Sequence, residues 1–351
     1  MSGELWGRLA DLPLEIEGYA LERLERDVSS AFTRVSTVLR FHGDGHEGLG
    51  EDVSYEAEDH DALQAAGATL PLEGAWTLES FCDHLATLDL WPEPARHDAS
   101  VLYRVWAYES AALDLALRQA GLPLHEALGR ELSPVHFVVS LRLGEPATTA
   151  PLRARLDRYP GLSFKLDPTG SWDDALVEQL VATGAVESCD LKGLYVGSVV
   201  DNPPEPELYR RVAEGFPDAW IEDPAITDAT WPVLEPHLDR ITWDANIHSV
   251  DDIIGLPFAP KMVNVKPSRL GGIRPLFKAY EYCDEHGIRM YGGGQFELGV
   301  GRGQIQYLAA LFHADGPNDV APGGYNDVDP PEGLPSSPLP VAAHTTGFRW
   351  G

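Results

Sequence analysis

Six charged side chains end short apolar runs along the chain, and their types suit one kind of chemistry. They are Arg142, Lys165, Asp190, Glu222, Asp244 and Lys266. If the runs are parallel strands of one barrel, their carboxyl ends meet at one mouth. Three carboxylates there would repel one another unless a cation neutralised them, and ligation by oxygen alone suits Mg²⁺, with Mn²⁺ as an alternative. The two lysines would lie on opposite sides of the metal, as removal of a proton next to a carboxylate and stabilisation of an enediolate require.

The strands that must position these residues are predicted after Pro134. Eight short apolar runs rich in β-branched residues follow, and amphipathic helical stretches fill most of the gaps between them. The runs are HFVVSLRLG, GLSFKLD, VESCDLKG, AWIEDP, RITWDAN, KMVNVKPS, GIRMYGGG and NDVAPGG. Eight such units predict an α/β fold, a TIM-type β/α barrel rather than an open doubly wound sheet.

The part of the chain before the barrel has a different pattern. Residues 13–56 alternate between apolar and polar side chains, with a hairpin-type turn in GDGHEG, and residues 77–130 have a helical period. We therefore expect three parts: an N-terminal α+β capping domain (1–133), the barrel with the catalytic site (134–325) and a Pro- and Gly-rich C-terminal tail that packs back on the capping domain (326–351).

The composition limits the class of partner. The 351 residues include 26 Lys and Arg against 55 Asp and Glu, a formal net charge of −29, which argues against nucleic acid or an anionic membrane. Cys82, Cys189 and Cys283 have no metal-ligand spacing and are expected to be small buried side chains in a reducing cytosol. The sequence indicates neither a signal peptide nor a membrane span. We expect a cytoplasmic protein, a homo-oligomer, that acts on a small-molecule carboxylate substrate.

Several longer stretches resemble a known family. WIEDP, ITWDANIHSVDD, VNVKPSRLGGI and YGGGQFELGVGRGQIQYLAAL resemble the enolase superfamily, in particular its muconate-lactonizing-enzyme (muconate cycloisomerase) subgroup. Within that subgroup the similarity is greatest to o-succinylbenzoate synthases and N-acylamino-acid racemases. The resemblance covers nearly the whole chain, since VSTVLRFHGDGHEGLGEDVSY and ESAALDLALRQAGLPLHEALGRE are similar to the family's N-terminal capping domain.

The resemblance implies roles for individual residues. It makes Asp190, Glu222 and Asp244 the Mg²⁺ ligands. It makes Lys266 the acid/base of the sixth strand, while Glu297 and Asp319, after the seventh and eighth strands, line the site. A lysine base beside bound Mg²⁺ is the general mechanism of this superfamily.

The second strand departs from the family pattern of Lys-x-Lys, in which the second lysine is the base. Alignment of LDPTGSWDD puts Lys165 at the second position and Ser163 at the first, where Ser163 is expected to be a substrate-binding residue. In the other register Lys165 is the first lysine and Asp167 replaces the base; we prefer the former. After Asp190 the family has x-Asn, whereas this chain has Lys192. We hypothesise that Lys192 supplies the charge lost at Ser163 or contacts an anionic substrate; a plain ion pair with a ligand carboxylate is an equal alternative.

Two further features are expected at the barrel mouth. Arg142 has the inward parity of Ser140 on the first strand and could bind a substrate carboxylate, in competition with a salt bridge at the mouth. The segment from Arg26 to Phe32 is expected to close over the site as a lid, although an ordinary connection is the alternative.

The sequence thus predicts a Mg²⁺-dependent enzyme that removes the α-proton of a carboxylate. Cycloisomerisation, racemisation or epimerisation, and syn dehydration all stay open as outcomes. An acid-sugar dehydratase is less favoured, because that subgroup uses a sixth-strand Asp and a seventh-strand His, whereas here Lys266 occupies the sixth strand and His286 precedes the seventh. A dipeptide epimerase is also less favoured, since the last strand lacks Asp-x-Asp. The alternative from another class is a degenerate barrel that binds metal or ligand without turnover.

Overall fold

The structure of the chain is a computed structural model that describes residues 4–28, 32–197 and 200–351. Residues 29–31, in the middle of the lid predicted from Arg26 to Phe32, lie outside the described residues. Within the described ranges, none of the helices combines the length and the hydropathy needed to cross a membrane.

Two antiparallel sheets form the first part of the chain. Their strands are β1 (Pro13–Ile16), β2 (Gly18–Val28), β3 (Phe32–Gly43), β4 (His46–Asp52) and β5 (Gly74–Thr77). Strands β2, β3 and β4 lie side by side in that order, and β1 pairs with β5. The predicted hairpin is confirmed, since Gly43 pairs with His46, and Asp44 and Gly45 have φ angles of 48° and 70°. Positive φ at both turn residues suits the right-handed twist of the flanking strands.

One long helix covers the three-stranded sheet. The helices of this part are α1 (Glu4–Gly7), α2 (Ala57–Ala66), α3 (Leu78–Leu85), α4 (Asp98–Gln119) and α5 (Leu124–Leu128). Helix α4 buries most of its length against β4, where Gly48 and Gly50 permit the close approach. A Cβ at Gly50 would collide with the carbonyl oxygen of Ala107 in α4, so the two glycines set the distance between helix and sheet.

Seven parallel strands of the second part curl into a barrel. They are β6 (Val138–Leu141), β7 (Ser163–Leu166), β8 (Val186–Asp190), β9 (Trp220–Glu222), β10 (Ile241–Trp243), β11 (Met262–Val265) and β12 (Arg289–Gly292). Their order in the sheet is their order in the chain. All four residues of β11 are buried, as expected for a parallel strand with side chains packed on both faces.

The eighth predicted strand, NDVAPGG, does not form a regular strand in the structure. It contributes two isolated parallel bridges instead of a strand, Asn318 with Phe137 and Asp319 with Gly293. The Val138 N–H donates to Asn318 O (2.9 Å), and the Asp319 N–H donates to Gly292 O (2.8 Å). These bonds join the first strand to the last and close the ring, so the β/α-barrel fold class is confirmed.

Helices follow the strands around the outside of the barrel. They are α6 (Ala150–Arg158), α7 (Asp174–Val181), α8 (Pro206–Gly215), α9 (Trp231–Leu234), α10 (Val250–Ile254), α11 (Pro267–Leu270), α12 (Ile273–His286) and α13 (Val300–Phe312), with 3₁₀ helices at Glu235–Arg240 and Gly323–Asn326. The three cysteines are buried and unpaired.

The C-terminal tail contacts both parts of the chain. Leu339 forms an antiparallel bridge with Val135, just before β6. Near the end of the tail, Asp114 of α4 accepts bonds from the Phe348 N–H (2.8 Å) and from Arg349 Nε (2.8 Å). We retain the division into residues 1–133, 134–325 and 326–351 as a proposal that these contacts support.

Candidate active site

The carboxyl ends of five neighbouring barrel strands bring the predicted residues together. Lys165 lies in β7, Asp190 and Glu222 end β8 and β9, and Asp244 and Lys266 directly follow β10 and β11. All five side chains are buried. The strands position them in this way because inward-facing residues of parallel strands converge at one mouth of the barrel.

Lys165 lies inside a group of carboxylates. Its Nζ donates to Glu222 Oε1, and lies 3.4 Å from Asp190 Oδ2 and 3.8 Å from Asp319 Oδ2. Burial alone would lower the pKa of Lys165, but the carboxylates of Glu222, Asp190 and Asp319 outweigh it and raise that pKa well above its usual value. The lysine that the sequence placed in a buried strand is therefore compensated by ion pairs.

Lys266 has different surroundings on the other side of the mouth. Its Nζ donates to Asp244 Oδ2 (2.8 Å), while Arg269 Nη1 contacts Asp244 Oδ1 (3.0 Å). Burial lowers the pKa of Lys266, and the nearby cation of Arg269 adds to this effect, against the opposing carboxylate of Asp244. Gly293 leaves room for the lysine, since a Cβ there would lie 2.6 Å from Lys266 Cε.

A compact carboxylate cluster lies between the two lysines, and we define it as Asp190, Glu222 and Asp223. Oxygen atoms from these three buried residues lie within 4.8 Å of one another. Glu222 Oε2 is buried without a hydrogen-bond partner. Burial, followed by the carboxylates of Asp244 and Asp190, raises the pKa of Asp223 to about 7. The close approach of these carboxylates and the unpartnered Glu222 oxygen fit a divalent cation such as Mg²⁺.

The cluster includes Asp223, which the sequence analysis did not select, and it leaves out Asp244, which the sequence analysis did select. Asp223 joins Asp190 and Glu222, and a second acid directly after Glu222 in WIEDP was the signal for it. Asp223 itself has a φ of 48° and accepts the N–H groups of Asp244 (2.8 Å) and Ala245 (2.9 Å). Both carboxylate oxygens of Asp244 are held by cations. Its role as a metal ligand stays a prediction.

A chain of ion pairs leads from the cluster to the outside of the mouth. Lys192 Nζ contacts Asp190 Oδ2 and lies 3.8 Å from Asp167 Oδ1. Arg142 Nε in turn donates to Asp167 Oδ2 (3.0 Å), and the Arg142 side chain is 49% exposed. Both interpretations given for Arg142 stay open, since it forms the mouth salt bridge and also presents its guanidinium to solvent.

The remaining predicted residues lie at different distances from the cluster. Asp319 contacts Lys165 at the edge of the site. Glu297 is buried after β12, where it accepts the Gln295 N–H (2.6 Å) and pairs with Arg302 (3.1 Å). Ser163 lies at the start of β7, and its hydroxyl hydrogen-bonds to Glu187. Among the described contacts none joins Ser163 to Asp190, Glu222 or Asp223, so its predicted role in substrate binding stays a prediction.

Two side chains that the sequence analysis did not select complete the mouth. The Tyr195 hydroxyl accepts from Arg269 Nη2 (3.0 Å) and lies 3.4 Å from Asp244 Oδ2, while Lys192 Nζ lies 5.1 Å from the Tyr195 ring centroid. Arg269 lies within the stretch VNVKPSRLGGI, three residues after Lys266, so helical spacing offered a signal for it. Tyr195 stands in an irregular segment after β8, where the sequence pattern gives no signal.

Two domain families match the chain in tandem. Residues 7–127 match the family described as "Domain of unknown function (DUF8230) N-terminal domain". Residues 131–327 match the family described as "Domain of unknown function (DUF8230) C-terminal domain".

Two curated relatives are similar over most of their length. The o-succinylbenzoate synthase of Geobacillus stearothermophilus is 24% identical over 341 residues, which cover 88% of this chain and 85% of the relative. The N-succinylamino acid racemase of Thermus thermophilus is 26% identical over 339 residues, which cover 90% of this chain and 84% of the relative.

Solved structures share the fold. A member of the enolase superfamily from Listeria innocua Clip11262 has a TM-score of 0.64 at 19% identity, covering 88% of this chain and 86% of that one. A muconate lactonizing enzyme has a TM-score of 0.62 at 21% identity, covering 87% and 88%. The resemblance to the superfamily and to its muconate-lactonizing-enzyme subgroup is thereby confirmed. The chain belongs to the DUF8230 family, and it resembles members of the enolase superfamily in sequence and in fold.

Proposed function

We propose that the protein is a Mg²⁺-dependent enzyme that removes the α-proton of a carboxylate substrate through an enediolate intermediate. The observation that carries the proposal is the pair of buried lysines, Lys165 and Lys266, at the ends of β7 and β11. In a ring of seven strands and one closing segment these two strands are four positions apart. The two amines therefore face the carboxylate cluster from opposite sides of the mouth.

Asp190 and Glu222, with Asp223 or Asp244, would hold the cation. Bound there, Mg²⁺ (or Mn²⁺) would supply positive charge that stabilises the negative charge developing on the substrate carboxylate. The unpartnered Glu222 Oε2 and the raised pKa of Asp223, which burial and the carboxylates of Asp244 and Asp190 cause, support a cation at this position.

The lysines would hold and move the proton at their Nζ atoms. A general base and a general acid on opposite faces of the substrate carbon permit racemisation or epimerisation. A syn dehydratase or a cycloisomerase would use one lysine as the base and the other as a fixed positive charge. Burial and the cation of Arg269 lower the pKa of Lys266, which favours this lysine as the proton acceptor.

Substrate binding is assigned to the charges at the rim of the mouth. Arg142 presents an exposed guanidinium that can bind an anionic substrate group. Lys192 and Lys165 both contact Asp190 Oδ2, which supports Lys192 as the positive charge that Ser163 does not provide. Asp319 is proposed to line the site next to Lys165, and Glu297 to line it through the segment after β12. A cytoplasmic location and a homo-oligomer are retained as proposals from the sequence.

The curated relatives decide which substrates to test first. One is named for o-succinylbenzoate synthesis and one for racemisation of N-succinylamino acids. N-succinylamino acids and the precursor of o-succinylbenzoate are therefore the first compounds, followed by N-acylamino acids, lactones and acid sugars.

The test is Mg²⁺-dependent exchange of the substrate α-proton in D₂O, followed by proton NMR. We expect wild-type protein to exchange the α-proton of at least one compound, and Lys165→Ala to lose that exchange by about 10²-fold or more. Lys278→Ala removes an exposed lysine of α12 outside the site and should exchange at the wild-type rate. Equal exchange rates in wild type and Lys165→Ala would refute a role for Lys165 in proton transfer, and no exchange with any compound would favour a binding barrel.

A further inference from the structure

We propose that Lys192 is a built-in competitor for the metal site, an ammonium that a divalent cation must displace from Asp190. The Lys192 Nζ contacts Asp190 Oδ2, and the Lys192 backbone N–H donates to Asp190 Oδ1 (3.1 Å). One residue thus engages both oxygen atoms of a carboxylate in the cluster. The inference rests on the proposed metal site, but it concerns binding of the cation and not turnover.

The backbone at Lys192 is shaped for this contact. Its φ is 54°, in the left-handed region that residues other than glycine rarely adopt. Asp223 in the carboxylate cluster and Phe296 in the segment after β12 share this conformation, at φ angles of 48° and 57°. Strained backbone of this kind persists where the surrounding structure fixes it, and it is typical of functional sites.

A second carboxylate and an aromatic ring lie close to the Lys192 ammonium. Its Nζ lies 3.8 Å from Asp167 Oδ1, which is outside the carboxylate cluster, and over the ring of Tyr195. An ammonium that leaves Asp190 can therefore keep a carboxylate and an aromatic face within reach. Displacement needs only a short movement of one flexible side chain.

In this arrangement Lys192 affects how tightly the site binds a divalent cation. A metal ion must bind Asp190 more strongly than the Lys192 ammonium that it replaces, because the two cations compete for the same carboxylate. A site of this kind keeps Asp190 paired with Lys192 while no metal is bound. Asp167 favours metal binding, because it stabilises the displaced ammonium.

The experiment measures Mn²⁺ binding without substrate, by the electron paramagnetic resonance signal of free Mn²⁺. We expect Lys192→Met to bind Mn²⁺ at least about tenfold more tightly than wild type, since one charge-assisted contact no longer competes. Lys192→Gln should also bind more tightly and guards against a folding defect in the first variant. Lys278→Met is the control: it removes an exposed lysine of α12 outside the site, and its affinity should stay within threefold of wild type.

A double-mutant cycle separates displacement from a general field effect. Asp167→Asn should weaken Mn²⁺ binding by at least about threefold when Lys192 is present, and by a clearly smaller factor in the Lys192→Met background. Equal factors in both backgrounds would overturn the proposal, as would unchanged affinity in Lys192→Met or equal tightening in Lys278→Met. No Mn²⁺ binding by any variant would overturn it together with the metal site. If the variants bind Mn²⁺ as expected but no substrate exchanges its proton, the inference stands and the proposed function is refuted.

Discussion

The two lysines of the site differ in their electrostatic partners, and this difference suits them to different roles. Lys165 is surrounded by the carboxylates of Glu222, Asp190 and Asp319, so it is held as an ammonium. Lys266 shares Asp244 with Arg269, so a second cation already satisfies its carboxylate. A neutral amine is less costly at the second position than at the first.

Gly293 is the residue that sets the position of Lys266. A Cβ there would lie 2.6 Å from Lys266 Cε, closer than real Cβ contacts, and 3.1 Å from Asn264 Nδ2, which is a tight contact. We predict that Gly293→Ala moves the amine and lowers the rate of proton exchange by about 10- to 100-fold, as misplacement by about 1 Å does. Gly161→Ala adds a methyl group into open space before β7 and should exchange like wild type. Unchanged exchange in Gly293→Ala would show that the lysine adapts.

The sequence indicated Lys165, Asp190, Glu222 and Lys266 because each ends or follows a buried apolar run. Their convergence follows from the barrel topology alone. Asp223 gave only a weak signal, as a second acid after Glu222, and Tyr195 gave none, since an acid before proline and a tyrosine in a loop are common at the surface. Their proximity to the cluster depends on a left-handed backbone at Asp223 and on the path of the segment after β8. Neither is visible in periodicity.

At the scale of elements, one strand of the first part holds a barrel segment in place. Glu51 of β4 is buried and accepts the N–H groups of Leu298 (2.7 Å), Gly299 (3.0 Å) and Gly301 (2.9 Å) at the start of α13. A carboxylate at a helix N-terminus satisfies free N–H groups and opposes the helix dipole. The same segment, between β12 and α13, carries Glu297. The capping part of the chain thus positions a wall of the site from outside the barrel.

This contact predicts an effect on stability. Glu51→Gln removes the charge and turns an amide N–H₂ toward the backbone donors, which should lower the free energy of unfolding by about 2 kcal/mol. Glu47→Gln is the control, because Glu47 stands on the same strand in a half-exposed pair with Arg40 and should cost less than about 1 kcal/mol. Urea unfolding followed by circular dichroism measures both. Equal losses for the two variants would contradict a specific role for Glu51.

At the scale of the whole molecule, closure of the barrel depends on a short segment without a regular strand. Asn318 Oδ1 accepts from the Gly292 N–H (2.7 Å) and from His313 Nδ1 (2.7 Å), and its amide donates to His136 O (2.9 Å). Side-chain bonds here replace the ladder that an eighth strand would form, which is why the sequence could predict a strand position but not its form. Asn318 can accept from His313 only while Nδ1 carries a proton, so the remaining ring nitrogen of neutral His313 stays unprotonated.

The closing segment should therefore weaken in acid. Burial lowers the pKa of His313 from 6.5 to about 4; the folded state disfavours the charged ring, so its contribution is present above pH 6.5 and is lost as the pH falls toward 4. Between pH 7 and pH 5.5 this one group should cost about 1 kcal/mol of unfolding free energy. His60 and His248, whose pKa values burial also lowers, contribute with the same sign, so wild type must be compared with His313→Gln by urea unfolding at both pH values. The variant should be less stable at pH 7, but on acidification to pH 5.5 its free energy of unfolding should fall by about 1 kcal/mol less than that of wild type. Identical losses would show that His313 does not couple closure of the barrel to pH.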